Sequence, residues 1–325
     1  MRILLIGGTR FVGRHLTEAL IAAGHEVTLV HRGRTGTELF DGRAKHVLAD
    51  RDDTAALTAA LAEGEWDATI DVCAYFPRHV TTLAAALGGR GGRYVLVSTL
   101  SVYTLDEPGF GEDASLIEID GPVPETITEE TYGALKVLCE RAAGELFGEG
   151  TLILRPTYIV GPWDPYRRLD YWTHRVARGG EILAPGGPDT PVQVVDARDI
   201  ADFTVACLDE GRAGVFHLVG GSGEYTFAAL FADIAAGLGV GEPVVTWVDK
   251  AFLEAEGVSD ADLPMAGIGD ATHDVGGTAD PAASLRAGFS ARSIARTAAE
   301  LAGLPLEKGL SGEREAEVLA RWRTR

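Results

Sequence analysis

Two residues four positions apart could together carry acid/base chemistry. Tyr132 and Lys136 occur in the segment TYGALK, at the start of a strongly helical stretch. Residues four apart on a helix lie on one face, so an ammonium would stand beside a phenol. Because a nearby cation stabilises phenolate, we expect Lys136 to lower the pKa of Tyr132 towards neutrality. The same spacing is common on solvated helix surfaces. The position of the Tyr132/Lys136 pair in the fold therefore decides whether the pair is catalytic or only part of the surface.

Hydroxyl side chains follow a strand-like segment upstream of that helix. The apolar run RYVLV leads into Ser98, Thr99 and Ser101. At the carboxyl edge of a parallel sheet, where α/β proteins bind ligands, such a hydroxyl can hydrogen-bond a reacting oxygen. The alternative is that these side chains only end the strand by bonding to the local backbone.

Short apolar strands alternate with alanine-rich helices through the first two thirds of the chain. This alternation predicts right-handed βαβ units and a doubly wound parallel sheet, an α/β fold of Rossmann type. We place this domain at residues 1–160, with later strands around 192–220 returning to it. A single strand is predicted over 151–160 and another in PVQVVDARDIADF. Residues 161–325 are predicted to form mostly a smaller substrate-binding domain.

A glycine-rich turn joins the first strand to the first helix. Its residues are Gly7, Gly8, Thr9, Arg10, Phe11, Val12 and Gly13. Glycines here let the backbone approach a pyrophosphate, and the helix N-terminus adds N–H donors and partial positive charge. Because a strand precedes the turn and a helix follows it, we predict that these seven residues bind a dinucleotide. A tight turn with no ligand is the alternative.

The second strand ends in His31, where an NAD-selective site usually has a carboxylate for the ribose hydroxyls. Arg32 and Arg34 follow, and Arg10 lies in the neighbouring turn, so three guanidinium groups could surround a 2′-phosphate. We therefore expect NADP(H) to be favoured over NAD(H). Asp50 comes at the end of the third strand, at the usual place for an adenine contact, although an ordinary loop aspartate is equally consistent.

In their order along the chain, four features resemble the extended or atypical short-chain dehydrogenase/reductase superfamily, which includes NAD(P)-dependent epimerases and dehydratases. They are the glycine turn, VSTLSVY, the YGALK helix, and LRPTYIVGP followed by VVDARDIA. The resemblance implies that Tyr132 is the catalytic acid/base and that Lys136 supports it and holds the nicotinamide ribose. Thr99 would polarise the substrate oxygen, with Ser98 as the alternative. Thr157 would lie at the nicotinamide ring.

The glycine turn departs from that superfamily's usual spacing, which has glycine at the first, fourth and seventh positions. Arg10 occupies the middle position and Gly8 is added. This GGxxxxG form resembles an atypical subgroup of reductases, sugar dehydratases and RNA-binding chloroplast relatives, so it leaves the substrate open. A dehydratase would have an acid pair directly after its catalytic threonine, whereas Leu100 and Ser101 stand there. Sugar 4,6-dehydration is therefore disfavoured.

Residues after two strands are expected to line the cleft. Cys73 and Ala74 follow the fourth strand and are predicted to contact the cofactor. Tyr75, beside them, and Tyr158, beside Thr157, are predicted to bind substrate.

The aromatic and charged segment 161–172 has two interpretations. It could be a lid in which Trp163, Arg167 and Tyr171 close over the nicotinamide, or a packed surface loop. We include Trp163 among the predicted substrate-binding residues.

The charge of the chain disfavours several classes of partner. Its 325 residues include 48 acidic and 29 basic side chains, giving a formal net charge of -19. Such a surface repels nucleic acid and anionic membranes. The opening MRILLI is too short for the apolar region of a signal peptide, and no later run reaches membrane-spanning length, so we expect a cytoplasmic protein.

Metal and hydrolase chemistry are also disfavoured. Cys73, Cys139 and Cys207 are widely spaced in apolar sequence, which is typical of buried cysteines in a reducing compartment. The histidines show no HExxH or paired spacing, so no metal is predicted. The glycine-serine-glycine stretch at 220–223 follows a late strand without an obvious helix, unlike a nucleophile elbow.

The function predicted from these patterns is hydride transfer between NADP(H) and a carbonyl or alcohol of a small or glycosylated metabolite. Two alternatives stay open: a cofactor-retaining sugar nucleotide epimerase, and a non-catalytic dinucleotide-sensing or RNA-binding relative. A homodimer is also expected, because the helical runs 79–87 and 132–147 offer the apolar faces through which relatives pair.

Overall fold

The first domain is built on a seven-stranded sheet in which every strand is parallel to its neighbours. The computed structural model describes residues 1–220, 225–305 and 309–325. Across the sheet the strands follow the order β10-β6-β5-β4-β1-β2-β3, which confirms the predicted Rossmann-type fold. In chain order they are β1 (Arg2–Ile6), β2 (Glu26–His31), β3 (Ala44–Leu48), β4 (Ala68–Asp71), β5 (Arg93–Val97), β6 (Leu152–Pro156) and β10 (Gly214–Leu218).

Helices cover both faces of this sheet. Two of them, α1 and α6, pack together on one face, and the other three pack in succession on the opposite face. They are α1 (Phe11–Ala22), α2 (Thr54–Ala60), α3 (Pro77–Leu87), α4 (Glu129–Phe147) and α6 (Ala197–Asp209). The central strands are therefore buried on both sides, as their nearly continuous apolar sequence requires.

The start of α4 is set by a capping box. Thr128 Oγ1 accepts the backbone N–H of Thr131 at 3.3 Å, and Thr131 Oγ1 accepts the backbone N–H of Thr128 at 2.8 Å. These two bonds satisfy N–H groups that the first helical turn leaves without partners. As a result Tyr132 lies in the first turn of α4 and Lys136 one turn further on.

The second, smaller domain has two short parallel sheets and most of the remaining helices. Its core surrounds Trp172, which is fully buried and packs edge-on against Phe227 and Phe231. The strands are β7 (Tyr158–Val160) paired with β9 (Val194–Asp196), and β8 (Glu181–Pro185) paired with β11 (Val244–Val248). The helices are α5 (Arg168–Arg178), α7 (Phe227–Leu238), α8 (Lys250–Ala255), α9 (His273–Gly276), α11 (Ile294–Leu301) and α12 (Gly312–Arg323), whereas α10 (Ala282–Arg286) packs against β10 of the main sheet.

Two strands expected from the sequence are shorter than predicted. The segment 151–160 divides at Thr157, because β6 stays in the main sheet while β7 pairs with β9. The strand in PVQVVDARDIADF is only Val194–Asp196, and α6 follows at once. Asp196 ends the strand because its carboxylate caps α6, accepting the N–H of Arg198 at 2.9 Å.

The chain returns to the first domain after β9. The helix α6 packs on α1, and β10 joins the edge of the main sheet beside β6. Residues 197–218 therefore belong structurally to the first domain. The glycine-serine-glycine stretch considered for a hydrolase lies, at 221–223, outside the described residues.

The apolar faces of α3 and α4 are used within the chain. Leu83 and Leu87 on α3, and Leu135 and Cys139 on α4, are all buried. Leu146 is the large apolar side chain of α4 that stays exposed. These two helices thus leave little apolar surface for a partner copy, and the homodimer stays a prediction. Within the parts of the chain described above, no helix is both long and apolar enough to cross a membrane.

Candidate active site

The glycine turn after β1 is a tightly packed cradle. Gly7 has a φ of +96°, and a Cβ atom on Gly13 would stand 2.3 Å from the carbonyl oxygen of Gly7. Thr17 braces the turn, since its hydroxyl lies 2.9 Å from the oxygen of Gly8 and 2.8 Å from that of Gly13. Only glycine at positions 7 and 13 allows the backbone to come this close to the start of α1.

In this turn the non-glycine residue with a left-handed backbone is Phe11, and not the arginine that precedes it. Arg10 has an ordinary extended backbone, with φ −129° and ψ 142°. Phe11, the next residue, takes the positive φ of +38°. A positive φ is costly for an aromatic residue, so the turn stores some strain where the usual pattern would have none.

His31 is turned towards the neighbouring strand. Its Nδ1 accepts the N–H of Gly33 at 3.2 Å, and its Nε2 lies 2.8 Å from Nδ1 of His46 on β3. Nε2 of His46 in turn lies 2.8 Å from the carbonyl oxygen of Leu39, which can only accept. His31 Nε2 and His46 Nε2 are therefore the donors, and both rings are neutral. His31 is occupied by its own loop and does not replace the ribose-binding carboxylate.

Three exposed arginines lie in the glycine turn and in the loop after β2 that approaches it. The loop after β2 passes over Thr9, because a Cβ on Gly36 would stand 3.0 Å from Thr9 Cβ. Arg10, Arg32 and Arg34 are all exposed, and none pairs with a carboxylate in the described ranges of the chain. On a protein with a net charge of -19, three unpaired guanidinium groups at one turn are a local positive site.

A buried ion pair joins the ends of β3 and β4, and the sequence did not reveal it. Both terminal nitrogens of Arg51 lie 2.7 Å from the carboxylate oxygens of Asp71. Burial alone would raise the pKa of Asp71, but the charge of Arg51 keeps it below its usual value. The Cys73 thiol lies 3.2 Å from Arg51 and beside Gly7, and the residue is partly buried; its contact with a cofactor stays a prediction.

The neighbouring Asp50 behaves as a loop residue. Its carboxylate accepts the N–H of Asp52 at 3.2 Å, an Asx-type turn after β3. The residue after it, Arg51, is the one that makes a long-range contact here, with Asp71 twenty residues further along the chain.

Lys136 is buried at the carboxyl edge of the sheet, with only 2% of its surface exposed. Its Nζ donates to the main-chain oxygen of Ala74 at 2.8 Å and to that of Val97 at 2.8 Å. It therefore joins the ends of β4 and β5 and keeps one N–H free, because an ammonium has three donors. Burial lowers the pKa of this lysine.

Tyr132 and Thr99 meet at the same edge. Thr99 Oγ1 donates to Ser101 Oγ at 3.1 Å and accepts the backbone N–H of Ser101 at 3.1 Å, and the same hydroxyl is the hydrogen-bonding neighbour that lowers the pKa of the Tyr132 phenol. Burial raises the pKa of Tyr132 to about 12, the hydroxyl of Tyr75 adds to the rise, and the Thr99 bond opposes it. Burial is the largest influence on this phenol, and the expectation that Lys136 lowers the pKa of Tyr132 stays a prediction.

Ser98, the alternative to Thr99, is committed elsewhere. Its hydroxyl donates to Glu140, which lies one turn beyond Lys136 on α4. Glu140 also pairs with Arg155 of β6 through bonds of 3.0 Å and 2.6 Å. Of the two hydroxyls, Thr99 is thus the one beside Tyr132.

This buried network continues away from Tyr132. Arg155 donates to the hydroxyl of Tyr103, which lies 2.6 Å from Nε2 of His217 on β10. Nδ1 of His217 lies 3.0 Å from the carbonyl oxygen of Asp280, so the tyrosine must donate to Nε2. No sequence pattern predicts this network, although Tyr103 lies in VSTLSVY and Arg155 in LRPTYIVGP.

The remaining predicted contacts lie around the same edge. Thr157 donates from its hydroxyl to the carbonyl oxygen of Gln193 at 2.8 Å, so its side chain joins the two domains. Tyr75 is 40% exposed, and its ring centroid lies 5.9 Å from Lys136 Nζ. Tyr158 is half-buried, with its ring 5.7 Å from the guanidinium of Arg168.

The loop that follows β7 is a strap bound to α1, not a free lid. Trp163 has a φ of +66°, and its ring centroid lies 3.4 Å from the guanidinium carbon of Arg14 and 4.8 Å from the ring of His15. His15 Nε2 also lies 3.1 Å from the carbonyl oxygen of Pro162. Trp163 is therefore held at the first turns of the helix that follows the glycine turn.

The lid interpretation is wrong for two other residues. Tyr171 is 4% exposed and packs in the core of the second domain against Trp172. Arg167 pairs with Asp170 at 3.0 Å and donates to the carbonyl oxygen of Pro305. Both side chains follow the left-handed turn at Arg167, which directs them into the second domain.

These residues fit a nicotinamide dinucleotide. The cradle that Cβ atoms at Gly7 and Gly13 would fill lies at the N-terminus of α1, where a pyrophosphate is stabilised. The loop that carries Arg32 and Arg34 passes over Thr9 of the glycine turn, and Lys136 and Thr99 lie at the carboxyl ends of β4 and β5. An alcohol or carbonyl oxygen placed there would meet a hydroxyl and a phenol.

Comparison with known proteins places the chain among dinucleotide-dependent enzymes of this fold. The chloroplast stem-loop binding protein of 41 kDa b from Arabidopsis thaliana is 27% identical over 269 residues, covering 77% of this chain and 67% of that protein. The structure of UDP-glucuronic acid 4-epimerase from Bacillus cereus in complex with NAD has a TM-score of 0.64 at 18% identity, over 92% of this chain and 96% of that one.

The human epimerase family protein SDR39U1 (isoform 2), solved with NADPH, has a TM-score of 0.64 at 20% identity, over 94% of this chain and 100% of that one. At these identities the two structures show the shared fold. The family model for the NAD dependent epimerase/dehydratase family matches residues 3–219, more than half of the chain. The chain therefore belongs to the NAD dependent epimerase/dehydratase family.

Proposed function

We propose that this protein is an NADP(H)-dependent oxidoreductase that interconverts a carbonyl and an alcohol. The observation that carries the proposal is the meeting of Tyr132, Thr99 and Lys136 at the carboxyl ends of β4 and β5. In doubly wound sheets this edge binds the ligand. A phenol, a hydroxyl and a buried ammonium there supply a proton, a hydrogen bond to the substrate oxygen, and a positive charge.

Each of the three side chains has a separate task. When bound, the nicotinamide supplies or accepts the hydride. Tyr132, protonated at neutral pH, gives its proton to the carbonyl oxygen in the reduction and takes it back in the oxidation. Thr99 hydrogen-bonds the same oxygen as negative charge develops on it. The free N–H of Lys136 is available to the nicotinamide ribose, while its other two N–H groups hold the strand ends in register.

NADP(H) is the proposed cofactor because of the arginines. Arg10, Arg32 and Arg34 are exposed beside the glycine turn and have no carboxylate partner within the described ranges. No carboxylate ends β2, because His31 is there and is bonded to His46. Guanidinium groups recognise a phosphate through parallel N–H donors, whereas ribose hydroxyls are better bound by a carboxylate.

Tyr75 and Tyr158 are proposed to contact the substrate, and Trp163 to close the cofactor side of the cleft. Tyr75 follows β4 and Tyr158 begins β7, so they flank the edge at which Tyr132 lies. Trp163 is stacked on Arg14 at the opposite wall.

A cofactor-retaining epimerase is the second candidate, favoured by the description of the family to which the chain belongs. It would use the same Tyr132 and Lys136 to oxidise and re-reduce one carbon, so the geometry alone serves both reactions. RNA binding, the property named for the Arabidopsis relative, is disfavoured by the net charge of -19.

The nucleotide that co-purifies with the protein and a hydride-transfer assay separate these functions. The purified chain is incubated with NADPH deuterated at the transferable position and with a panel of aldehydes, ketones and nucleotide sugars. Loss of nicotinamide absorbance with deuterium appearing in the product supports a net oxidoreductase. Sugar inversion with a tightly held cofactor and no net absorbance change would support the epimerase, and tight RNA binding without either would refute both.

A further inference from the structure

Arg168 lies where it can bind part of the substrate, although no sequence pattern within the segment 161–172 assigns a separate role to this residue. It is the first residue of α5, directly after the strap at 161–167. Its guanidinium carbon lies 4.3 Å from the ring centroid of Tyr166, which is 65% exposed, and 5.7 Å from that of Tyr158. Stacking on two aromatic rings restricts the plane of a guanidinium group.

The backbone around Arg168 is fixed by Asp164. This buried carboxylate accepts the N–H groups of Tyr166 and Arg168, each at 3.0 Å, and it lies 3.2 Å from Arg168 Nη1. Nη1 also lies 3.4 Å from the carbonyl oxygen of Ile159. Asp164 therefore shapes the turn and occupies one end of the guanidinium group.

The other edge of Arg168 is free. Its Nε and Nη2 have no hydrogen-bond partner among residues 1–220, 225–305 and 309–325. These two N–H groups point in parallel, which is the arrangement that binds both oxygens of a carboxylate. The neighbouring Arg167 has no such free role, because it pairs with Asp170 at 3.0 Å.

Arg168 lies near the carboxyl edge of the main sheet. Its guanidinium group lies 5.7 Å from the ring of Tyr158, which comes two residues after the end of β6, and β6 is the neighbour of β5, the strand that Thr99 follows. In keeping with this position, its positive charge opposes the rise in the pKa of Tyr132 and of Tyr158. The hydroxyl of Tyr166 acts on Tyr132 as well. A group bound to the free edge of Arg168 would therefore belong to the same molecule whose oxygen meets Tyr132 and Thr99.

The surrounding charges limit the ligand to a single negative charge. Asp260, Asp270 and Glu129 all act on Tyr158 as negative groups. Lys250, on α8, is already paired with Asp274 at 2.7 Å. An arginine that already shares its charge with Asp164 suits a monoanion, whereas a diphosphate would need further cations.

We propose that Arg168 binds the carboxylate of the substrate side-on through Nε and Nη2, so that the natural substrate is a hydroxy or oxo acid with one negative charge. The inference rests on the proposed oxidoreductase function and narrows its substrate class. It also predicts that nucleotide sugars, with their diphosphate, are poor ligands.

The test compares matched acids and amides. Glycolate, lactate, mandelate and hydroxymethylbenzoate are each titrated, beside the corresponding carboxamide, into the full-length protein with and without saturating NADP⁺, using calorimetry. The acid and the amide have nearly the same shape and the same alcohol, so the ratio of their affinities isolates the charge. For at least one pair we expect the acid to bind about tenfold to a hundredfold more tightly, as a charge-assisted bidentate bond does.

Variants then assign the preference to Arg168. Arg168→Met should bring the ratio close to one, and Arg168→Lys, which keeps the charge but loses the parallel donors, should keep only part of it. Arg296→Met is the control, because Arg296 is 68% exposed on α11 and its loss changes the net charge equally. Thermal unfolding establishes that each variant is folded. If Arg168→Met does not fold, the comparison is made with Arg168→Lys.

Two outcomes overturn the inference: no pair in which the acid binds better, or an acid preference that persists in both Arg168 variants. A merely structural arginine would change stability and leave the ratio untouched. Failure of the proposed function looks different, because an Arg168-dependent acid preference would then persist while NADP⁺ neither binds nor affects it.

Discussion

Lys136 Nζ donates to the main-chain oxygen of Val97 at 2.8 Å, two residues before Thr99. The same ammonium holds Ala74 at the end of the adjacent strand. One side chain of α4 thus fixes the ends of two strands, one of which carries the hydroxyl that meets Tyr132. The helix that presents the phenol also sets the position of its partner.

Replacing Tyr132 by Phe should separate chemistry from binding. The ring still packs and Lys136 keeps its two carbonyl partners, so NADPH affinity should change less than about twofold, while turnover falls by roughly 10² to 10⁴, the range for a lost general acid/base. Single-turnover absorbance and cofactor titration measure the two effects. A variant that turns over at the wild-type rate would remove Tyr132 from the mechanism.

Replacing Lys136 by Met should damage cofactor binding as well as turnover. The carbonyl oxygens of Ala74 and Val97 lose a buried donor, and the ribose loses its N–H, so we expect NADPH affinity to fall about tenfold or more and the protein to be less stable. Fluorescence titration and thermal unfolding report these changes, with Tyr132→Phe as the matched control. Unchanged affinity in Lys136→Met would show that the lysine serves only the strand ends.

Thr99 and Ser98 should behave differently although they are adjacent. Thr99→Val removes the hydroxyl beside Tyr132, so turnover should fall by about 10²-fold with cofactor affinity preserved. Ser98→Ala removes one donor to Glu140, which still pairs with Arg155, so the expected cost is about 1 kcal/mol of stability with turnover nearly unchanged. The opposite pattern in kcat would make Ser98 the active hydroxyl.

Arg32 should determine the preference between the two cofactors. Arg32→Ala is expected to weaken NADPH binding about tenfold and to leave NADH binding unchanged, because only NADPH has the 2′-phosphate. The control is Arg43→Ala, another exposed arginine, which lies beside Phe40. Equal titration curves for NADPH and NADH with the wild-type protein would refute the preference itself.

The pH dependence should differ between the two directions of the reaction. Tyr132 has a pKa of about 12, so the proton that reduction needs is present throughout the neutral range, and the reduction rate should be nearly flat from about pH 6 to pH 9. Oxidation needs the phenolate, whose fraction rises about tenfold per pH unit below that pKa. Initial rates in both directions test this. A plateau in the oxidation rate near neutral pH would mean that the bound state lowers the pKa of Tyr132.

The sequence patterns that predicted structure correctly were local ones. The seven residues of the glycine turn, the spacing of Tyr132 and Lys136 on one helix, and Thr99 after a strand all lie where the patterns predicted. Each depends on residues within one turn or one strand end, whose geometry repeats in every protein that contains it. The prediction that Tyr171 belongs to a lid was wrong, because the sequence around an aromatic residue does not show whether its ring packs in the core or over the cleft.

Partnerships across the sheet could not be predicted in the same way. Arg51 pairs with Asp71, twenty residues further along the chain, and Glu140 pairs with Arg155, fifteen residues further along. Neither pair shows a periodicity, since the partners belong to different elements that meet only when the sheet forms. The sequence could indicate only that each of these charged residues needs a partner, because it lies at a strand end or on the inward face of a helix. It could not indicate which residue that partner is.

The fold, the glycine turn after β1 and the placement of Tyr132 and Lys136 on one helix followed from the sequence alone, because backbone periodicity and glycine conformation are local properties. Tertiary structure alone decided which hydroxyl faces Tyr132, what Lys136 binds, and that burial raises the pKa of Tyr132. It also placed Arg168 beside Tyr158 and paired Arg167 with Asp170. These properties depend on distance and solvent access, which exist only once distant segments have packed together.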